Sequence, residues 1–198
     1  MSLPGVSSLP SLIAVLGVPG SGKSTQAKAL ARELDGTAVS VGDWLRGRAA
    51  AGDEDARATV AAGTAITPSQ YRRFLRHVKD DAPAGLLVLD GSPRDEHHVA
   101  VLADALAAHG SPAPVFGVLL ALPTSVAESR IRARRSTGSA PRPDDSADVA
   151  ARRIALQTAA LTRLAERFAS RWPMVTIDAT EDEALVTRRI LASLRMDH

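Results

Sequence analysis

The chain has 198 residues, 45% of them hydrophobic but only 3% aromatic, so alanine, leucine and valine must fill a core of ordinary single-domain size. Charged residues make up 23% and the formal net charge is only +2; the basic complement is three lysines and 21 arginines. Six aromatic side chains do not supply the stacking platform of a nucleic-acid surface, and the absence of cysteine excludes disulfides and cysteine-bound zinc.

Residues 1–11 have neither the basic start nor the apolar core of a signal peptide. No apolar run approaches the ~18–20 residues of a membrane span, so a soluble cytoplasmic protein is expected. Residues 12–16, Leu-Ile-Ala-Val-Leu, are a short apolar run closed by Gly17 and Pro19 and read as a buried strand. From residue 22 to residue 34 the positions Ala27, Leu30, Ala31 and Leu34 recur at helical spacing. Residues 38–41 read as a second strand ended by Gly42, and residues 43–80 as helix broken near Gly52, Gly63 and Pro68. A third strand over residues 86–89 is closed by Asp90-Gly91, and helix follows over 97–109. A fourth strand spans 115–122 and a helix 124–135. A Ser/Gly/Pro-rich stretch, 136–143, precedes a long helix over 146–170. Residues 174–178 form the fifth strand, and Thr180 with Glu183 reads as a capping box for the last helix. This alternation predicts an α/β fold with a five-stranded parallel sheet covered on both faces. Two stretches, 43–80 and 136–143, interrupt it and are expected to lie over a ligand.

Gly17-Val-Pro-Gly-Ser-Gly-Lys-Ser24 matches the phosphate-loop pattern G-x-x-x-x-G-K-[ST], between a predicted strand and a predicted helix. Glycines let the backbone turn so that N–H groups point at phosphate oxygens, with the positive end of the helix dipole behind them. In that reading Lys23 bridges the β- and γ-phosphates of ATP and Ser24 offers its hydroxyl to Mg²⁺. Asp90, at the end of the third strand, is the matching acidic residue for the metal. His97-His98 is read as a surface pair rather than a metal site, because adjacent helical residues diverge.

Beyond the phosphate loop, the series Ser40-Val-Gly-Asp-Trp-Leu-Arg46, Asp90-Gly-Ser-Pro-Arg94 and an arginine-rich stretch follow in order. That stretch comprises Arg130, Arg134, Arg142-Pro-Asp-Asp145 and Arg153. Over nearly the whole chain this resembles the adenylate kinase and nucleoside monophosphate kinase family. The resemblance implies a single P-loop NTPase domain of three layers. Its core would span residues 11–42, 84–134 and 146–198, with a helical acceptor-binding insertion over 43–80 and a short lid over 135–143. It places ATP against Gly17, Pro19, Gly20, Ser21, Gly22, Lys23, Ser24 and Thr25, with Arg130 stacking on the base. It assigns Val41, Arg46, Ile66, Gly91, Arg94 and His98 to the acceptor, Arg46 and Arg94 gripping its phosphate. Arg134, Arg142 and Arg153 close over the transferring group, and Asp144 and Asp145 form the acidic pair of the lid. Lys23, Arg94, Arg134, Arg142 and Arg153 are thus the implied catalytic set, Ser24 and Asp90 the Mg²⁺ ligands.

Guanidinium forks meet phosphate oxygens bidentately and stay charged at any working pH, which is what transfer between two polyanions requires. The chain departs from the family pattern at Val41, where AMP-specific members carry Thr, at Ser92, where an aromatic is usual, and at His98, where they carry Gln. The expected activity is therefore Mg²⁺- and ATP-dependent phosphorylation of a nucleoside monophosphate without strong preference for AMP, by a monomer that binds small nucleotides and neither nucleic acid nor membrane. Two other readings stay open from the residues: a P-loop kinase for another small metabolite, and an ATP-binding regulatory protein without turnover. Arg72, Arg73, Arg188 and Arg189 are read as solvated helix faces.

Overall fold

The computed structural model describes residues 11–81, 85–108, 114–136 and 147–196. Five strands run in chain order: β1 (Leu12–Gly17), β2 (Thr37–Ser40), β3 (Leu87–Asp90), β4 (Val115–Ala121) and β5 (Met174–Asp178). Among the described residues there are eight helices. α1 (Lys23–Glu33) follows β1; α2 (Val41–Ala50), α3 (Glu54–Ala62) and α4 (Pro68–Asp81) join β2 to β3. α5 (Glu96–Ala107) precedes β4, α6 (Thr124–Ser136) and α7 (Ala147–Ala169) lie between β4 and β5, and α8 (Glu183–Met196) is last. The sheet order is β2-β3-β1-β4-β5 and every pairing is parallel. No helix among the described residues is long and apolar enough to cross a membrane.

Side chains alternate across a strand, so each strand of a parallel sheet feeds two cores. On β1, Leu12, Ala14 and Leu16 belong to one buried cluster, with Val99 and Leu102 of α5, Leu164 and Phe168 of α7, and Tyr71 and Phe74 of α4. Ile13 and Val15 belong to the other, with Ala27 and Leu30 of α1 and Val186, Ile190 and Leu194 of α8. The result is the three-layer α/β sandwich of a P-loop NTPase. The α1–α8 contact also carries a satisfied buried polar link. Gln26 Nε2 donates to the Glu183 carbonyl at 3.0 Å, and the Thr187 hydroxyl donates to Gln26 Oε1 at 2.8 Å.

Three local expectations are corrected. Val41 is not strand but the first residue of α2, because the Ser40 hydroxyl accepts from the Asp43 N–H at 3.2 Å and caps a helix there. Thr180 does not cap α8: its hydroxyl donates to Asp178 Oδ1 at 2.7 Å, and Asp182 accepts from the Leu185 N–H at 2.9 Å instead. Nor is Arg73 a solvated face residue. It pairs with Asp53 at 2.8 Å, while Arg189 forms a surface pair with Glu181 at 2.9 Å.

Asp53 knots the helical excursion together. It caps α3 through the Ala56 N–H at 3.1 Å, takes Arg48 Nη2 of α2 at 3.0 Å, and takes Arg73 Nη2 of α4 at 2.8 Å. The Ala56 amide first, then the two guanidinium groups, hold its pKa down at about 2, from an ordinary 3.8. A depressed carboxylate contributes stability above its unfolded value that is lost as the pH falls toward the folded one. The urea midpoint gap between wild type and Asp53→Asn should therefore be widest at neutral pH and narrow as the pH drops through 3.8 toward about 2. A gap that does not change with pH would contradict this linkage.

Candidate active site

The candidate groups gather at the C-terminal edge of the sheet, where β1 has β3 on one side and β4 on the other. In open parallel sheets this switch point is where the loops diverge and leave a crevice. The glycine-rich loop crosses it between β1 and α1. Gly17 has φ +142° and Gly20 φ +83°, and a Cβ on either would meet backbone: Leu120 O at 2.8 Å and Ala127 O at 2.7 Å respectively. Only glycine lets the loop lie this close to β4 and α6 in that conformation. Lys23 opens α1, and its ammonium donates to the Val18 carbonyl at 2.6 Å, so the charge lies over the loop itself. The Ser24 hydroxyl donates to Asp90 Oδ2 at 2.7 Å, joining the first turn of α1 to the end of β3.

A cleft of about 660 Å³ opens over this loop. One end is lined by Gly42, Arg46, Gly91 and Arg94. Arg94 Nε donates to the Gly91 carbonyl at 3.1 Å, and Arg46 Nη2 donates to Asp43 Oδ1 at 2.5 Å. Both guanidinium groups converge over Gly42: a Cβ there would stand 3.2 Å from Arg94 Nη2 and 3.3 Å from Arg46 Nη1. The missing side chain leaves the room that two forks need above the first turn of α2. The cleft is also lined by Arg130 and Arg134 of α6, by Ala179, Glu181 and Asp182 with Glu183 and Val186 of α8, and by Gln157 of α7, which shares a smaller adjoining crevice with Lys23, Gly91 and Arg94. Arg130 Nη2 donates to the Thr180 carbonyl at 3.2 Å, tying α6 to that segment.

The structure thus brings Pro19, Gly20, Ser21, Gly22, Lys23, Ser24, Thr25, Asp90, Gly91, Arg46, Arg94, Arg130 and Arg134 to one cleft, with Gly17 at the mouth of the loop. It does not bring Val41, Ile66 or His98 to that wall; they are 1%, 2% and 0% exposed and lie in the interior. Burial holds the His98 pKa below the usual imidazole value, partly offset by Asp95. His97 is exposed while His98 is enclosed, and no group of three or more His, Asp or Glu among the described residues could hold a metal. Arg142, Asp144 and Asp145 lie outside the described residues; Arg153 falls within α7, and its side chain lies outside the described ones too.

Sequence reasoning missed Gln157, Gly42 and the Glu181-Asp182-Glu183 wall. For Gly42 the adjacency to Arg46 at helical spacing was a usable signal; for the other two only tertiary contact reveals them. Two hard oxygen donors, Ser24 Oγ and Asp90 Oδ2, meet beside the phosphate loop, with Asp90 only 8% exposed. That donor set suits a small divalent cation carried in with phosphates rather than a caged one.

A family described as AAA domain matches residues 16–151. Among curated proteins, the adenylate kinase of Stenotrophomonas maltophilia strain R551-3 is 30% identical over 92% of this chain and 98% of its own length. The adenylate kinase of Deinococcus radiodurans is 31% identical over 92% of this chain and 96% of its own length. That of Xylella fastidiosa strain M23 is 29% identical over 92% and 98%.

Proposed function

This chain belongs to the adenylate kinase family of P-loop kinases, and from that premise we propose that it moves the γ-phosphoryl group of ATP to a nucleoside monophosphate without strong preference for adenine. The observation that carries this reading is the pair of cation sets facing one cleft: Lys23 in the phosphate loop at its centre, and Arg46 with Arg94 converging over Gly42 at one end. A hydrolase needs one polyanion site; a transferase between two phosphates needs two, close enough for in-line displacement.

In the proposed reaction an oxygen of the acceptor's phosphate attacks the γ-phosphorus, a new P–O bond forms, and the bond to the β–γ bridging oxygen breaks to release ADP. The acceptor oxygen is already anionic, so no general base is required. Arg94, fixed by the Gly91 carbonyl, and Arg46, backed by Asp43, hold that phosphate. Lys23 neutralises charge on the β- and γ-oxygens. Ser24 and Asp90 would hold Mg²⁺, which when bound draws charge from the phosphate oxygens and orients them. Residues 43–80 are proposed to be the acceptor-binding segment and 135–143 the lid, with Arg134, Arg142 and Arg153 closing on the transferring group.

The absence of strong adenine preference follows from Val41, which offers no hydrogen bond, and from an enclosed His98. A site that bonds a polar edge rejects an analogue lacking it by ~10⁴–10⁵; neither Val41 nor His98 presents such an edge to the cleft. With Mg-ATP and each common ribo- and deoxyribonucleoside monophosphate in turn, ADP should form with several bases at kcat/KM values within about a hundredfold of one another. Selection of AMP by a thousandfold or more, or no ADP with any monophosphate, would overturn the reading.

A further inference from the structure

Val41, Ile66 and His98, which the family resemblance assigns to the acceptor, do not form an open slot. Val41, Ile66 and His98 share one buried cluster or its immediate neighbourhood with Tyr71 of α4, which is itself 0% exposed. The Tyr71 ring lies 4.5 Å from the His98 ring, centroid to centroid, and 6.0 Å from Phe74. Its hydroxyl is hydrogen-bonded to the Ser92 hydroxyl at 2.7 Å, and Ser92 is fully enclosed as well. Two of the chain's departures from the family pattern, Ser92 and His98, are thus the two partners of one aromatic ring. A small hydroxyl at position 92 makes room for the ring and satisfies its polar tip. The imidazole gives it a flat partner, and Nδ1 of that imidazole is already engaged by the Arg94 N–H at 3.4 Å.

We propose that Tyr71 is the specificity-determining residue of the acceptor site: its ring fills the space a nucleobase would need, so the site grips the acceptor's phosphate and leaves its base unread. This rests on the proposed assignment of Arg46 and Arg94 to an acceptor phosphate. The ring cannot step aside cheaply, because leaving would strand a buried hydroxyl on Ser92 and strip the face of a buried imidazole. The same enclosure raises the Tyr71 hydroxyl well above the usual phenol range, so it stays a neutral donor and acceptor. Arg46 and Arg94 line the cleft, and the backbone N–H of Arg94 touches the cluster at His98, so the phosphate grip directly adjoins the filled space.

The test compares AMP and CMP with ribose 5-phosphate, which carries a sugar phosphate and no base. Dissociation constants are measured calorimetrically in the presence of a non-hydrolysable ATP analogue, and kcat/KM with Mg-ATP, for wild type, Tyr71→Phe, Tyr71→Leu and Tyr71→Ala. For wild type the three acceptors should bind within about tenfold of one another, since a base that is not enclosed adds little. Tyr71→Leu and Tyr71→Ala should tighten at least one of AMP and CMP over ribose 5-phosphate by about tenfold or more, and Tyr71→Phe, which keeps the ring, should behave as wild type. Wild type binding AMP or CMP a hundredfold more tightly than ribose 5-phosphate would overturn the proposal and needs no variant to fold. So would folded Tyr71→Leu with an unchanged ratio. Phosphoryl transfer and the role of Tyr71 fail separately: strong base selection by an active wild type removes the role of Tyr71, and the lack of base preference with it, but keeps phosphoryl transfer, whereas a shifted binding ratio without any phosphoryl transfer removes the kinase and keeps Tyr71.

Discussion

Lys23→Ala is expected to lower kcat for phosphoryl transfer by roughly 10³-fold or more, with the fold intact. The residue opens α1, directly after Gly22 in its left-handed conformation, and its ammonium already lies over the loop through the Val18 carbonyl at 2.6 Å. A point charge at that place is available to oxygens that gain negative charge as the β–γ bond lengthens; the other lysine of the cleft, Lys28, lies five residues further along α1 rather than at its start. Structurally the change removes the hydrogen bond to the Val18 carbonyl at a partly exposed site, so far-ultraviolet circular dichroism and the unfolding midpoint should stay close to wild type. A folded variant that turns over within about tenfold of wild type would contradict the role.

Arg94→Ala should cost about 10²–10³-fold in kcat/KM for the acceptor while changing the KM for ATP little. Its guanidinium is aimed by the Gly91 carbonyl at 3.1 Å and shares the space over Gly42 with Arg46. The fork geometry matters as much as the charge. Lysine cannot hold the Gly91 carbonyl and present two parallel donors at once, so Arg94→Lys should recover only a minor part of the loss. Steady-state kinetics with varied acceptor at saturating ATP separates the terms. Full activity in Arg94→Lys, or an equal rise in both KM values, would show that the residue does not grip the acceptor's phosphate.

The strands were legible because parallel strands buried on both faces are short apolar runs closed by Gly or Asp, as at Leu12–Gly17 and Leu87–Asp90. Helical periodicity placed α1 and α5 within two residues of their ends. Errors fell where a side chain decides an end. Val41 extends an apolar run in sequence, yet the Ser40 hydroxyl caps the helix that it opens. Thr180 and Glu183 have the spacing of a capping box, yet Asp178 takes the Thr180 hydroxyl and Asp182 does the capping.

The site was legible where function is local in sequence: the phosphate loop, and Arg46 four residues beyond Gly42. Ser24 and Asp90 were each read as Mg²⁺ ligands, and the structure joins them by a hydrogen bond at 2.7 Å. What could not be read was which residues occupy space. Tyr71 sits at helical spacing with Phe74 and Val78, the ordinary pattern of a buried helix face, and nothing in one dimension says that its ring packs tilted against His98. The wall of Glu181, Asp182 and Glu183 is likewise a consequence of β5 ending beside β4, and α6 reaching it through Arg130.

The central claim, transfer between two phosphates rather than hydrolysis or binding alone, is tested most directly by ³¹P NMR of the protein with Mg-ATP and a nucleoside monophosphate other than AMP. The account predicts that the γ-phosphate signal of ATP and the monophosphate signal decline together as ADP and the second nucleoside diphosphate appear in equal amounts, with no matching growth of inorganic phosphate. Unchanged ATP signals across the monophosphates, or loss of the γ-phosphate to inorganic phosphate alone, would contradict it.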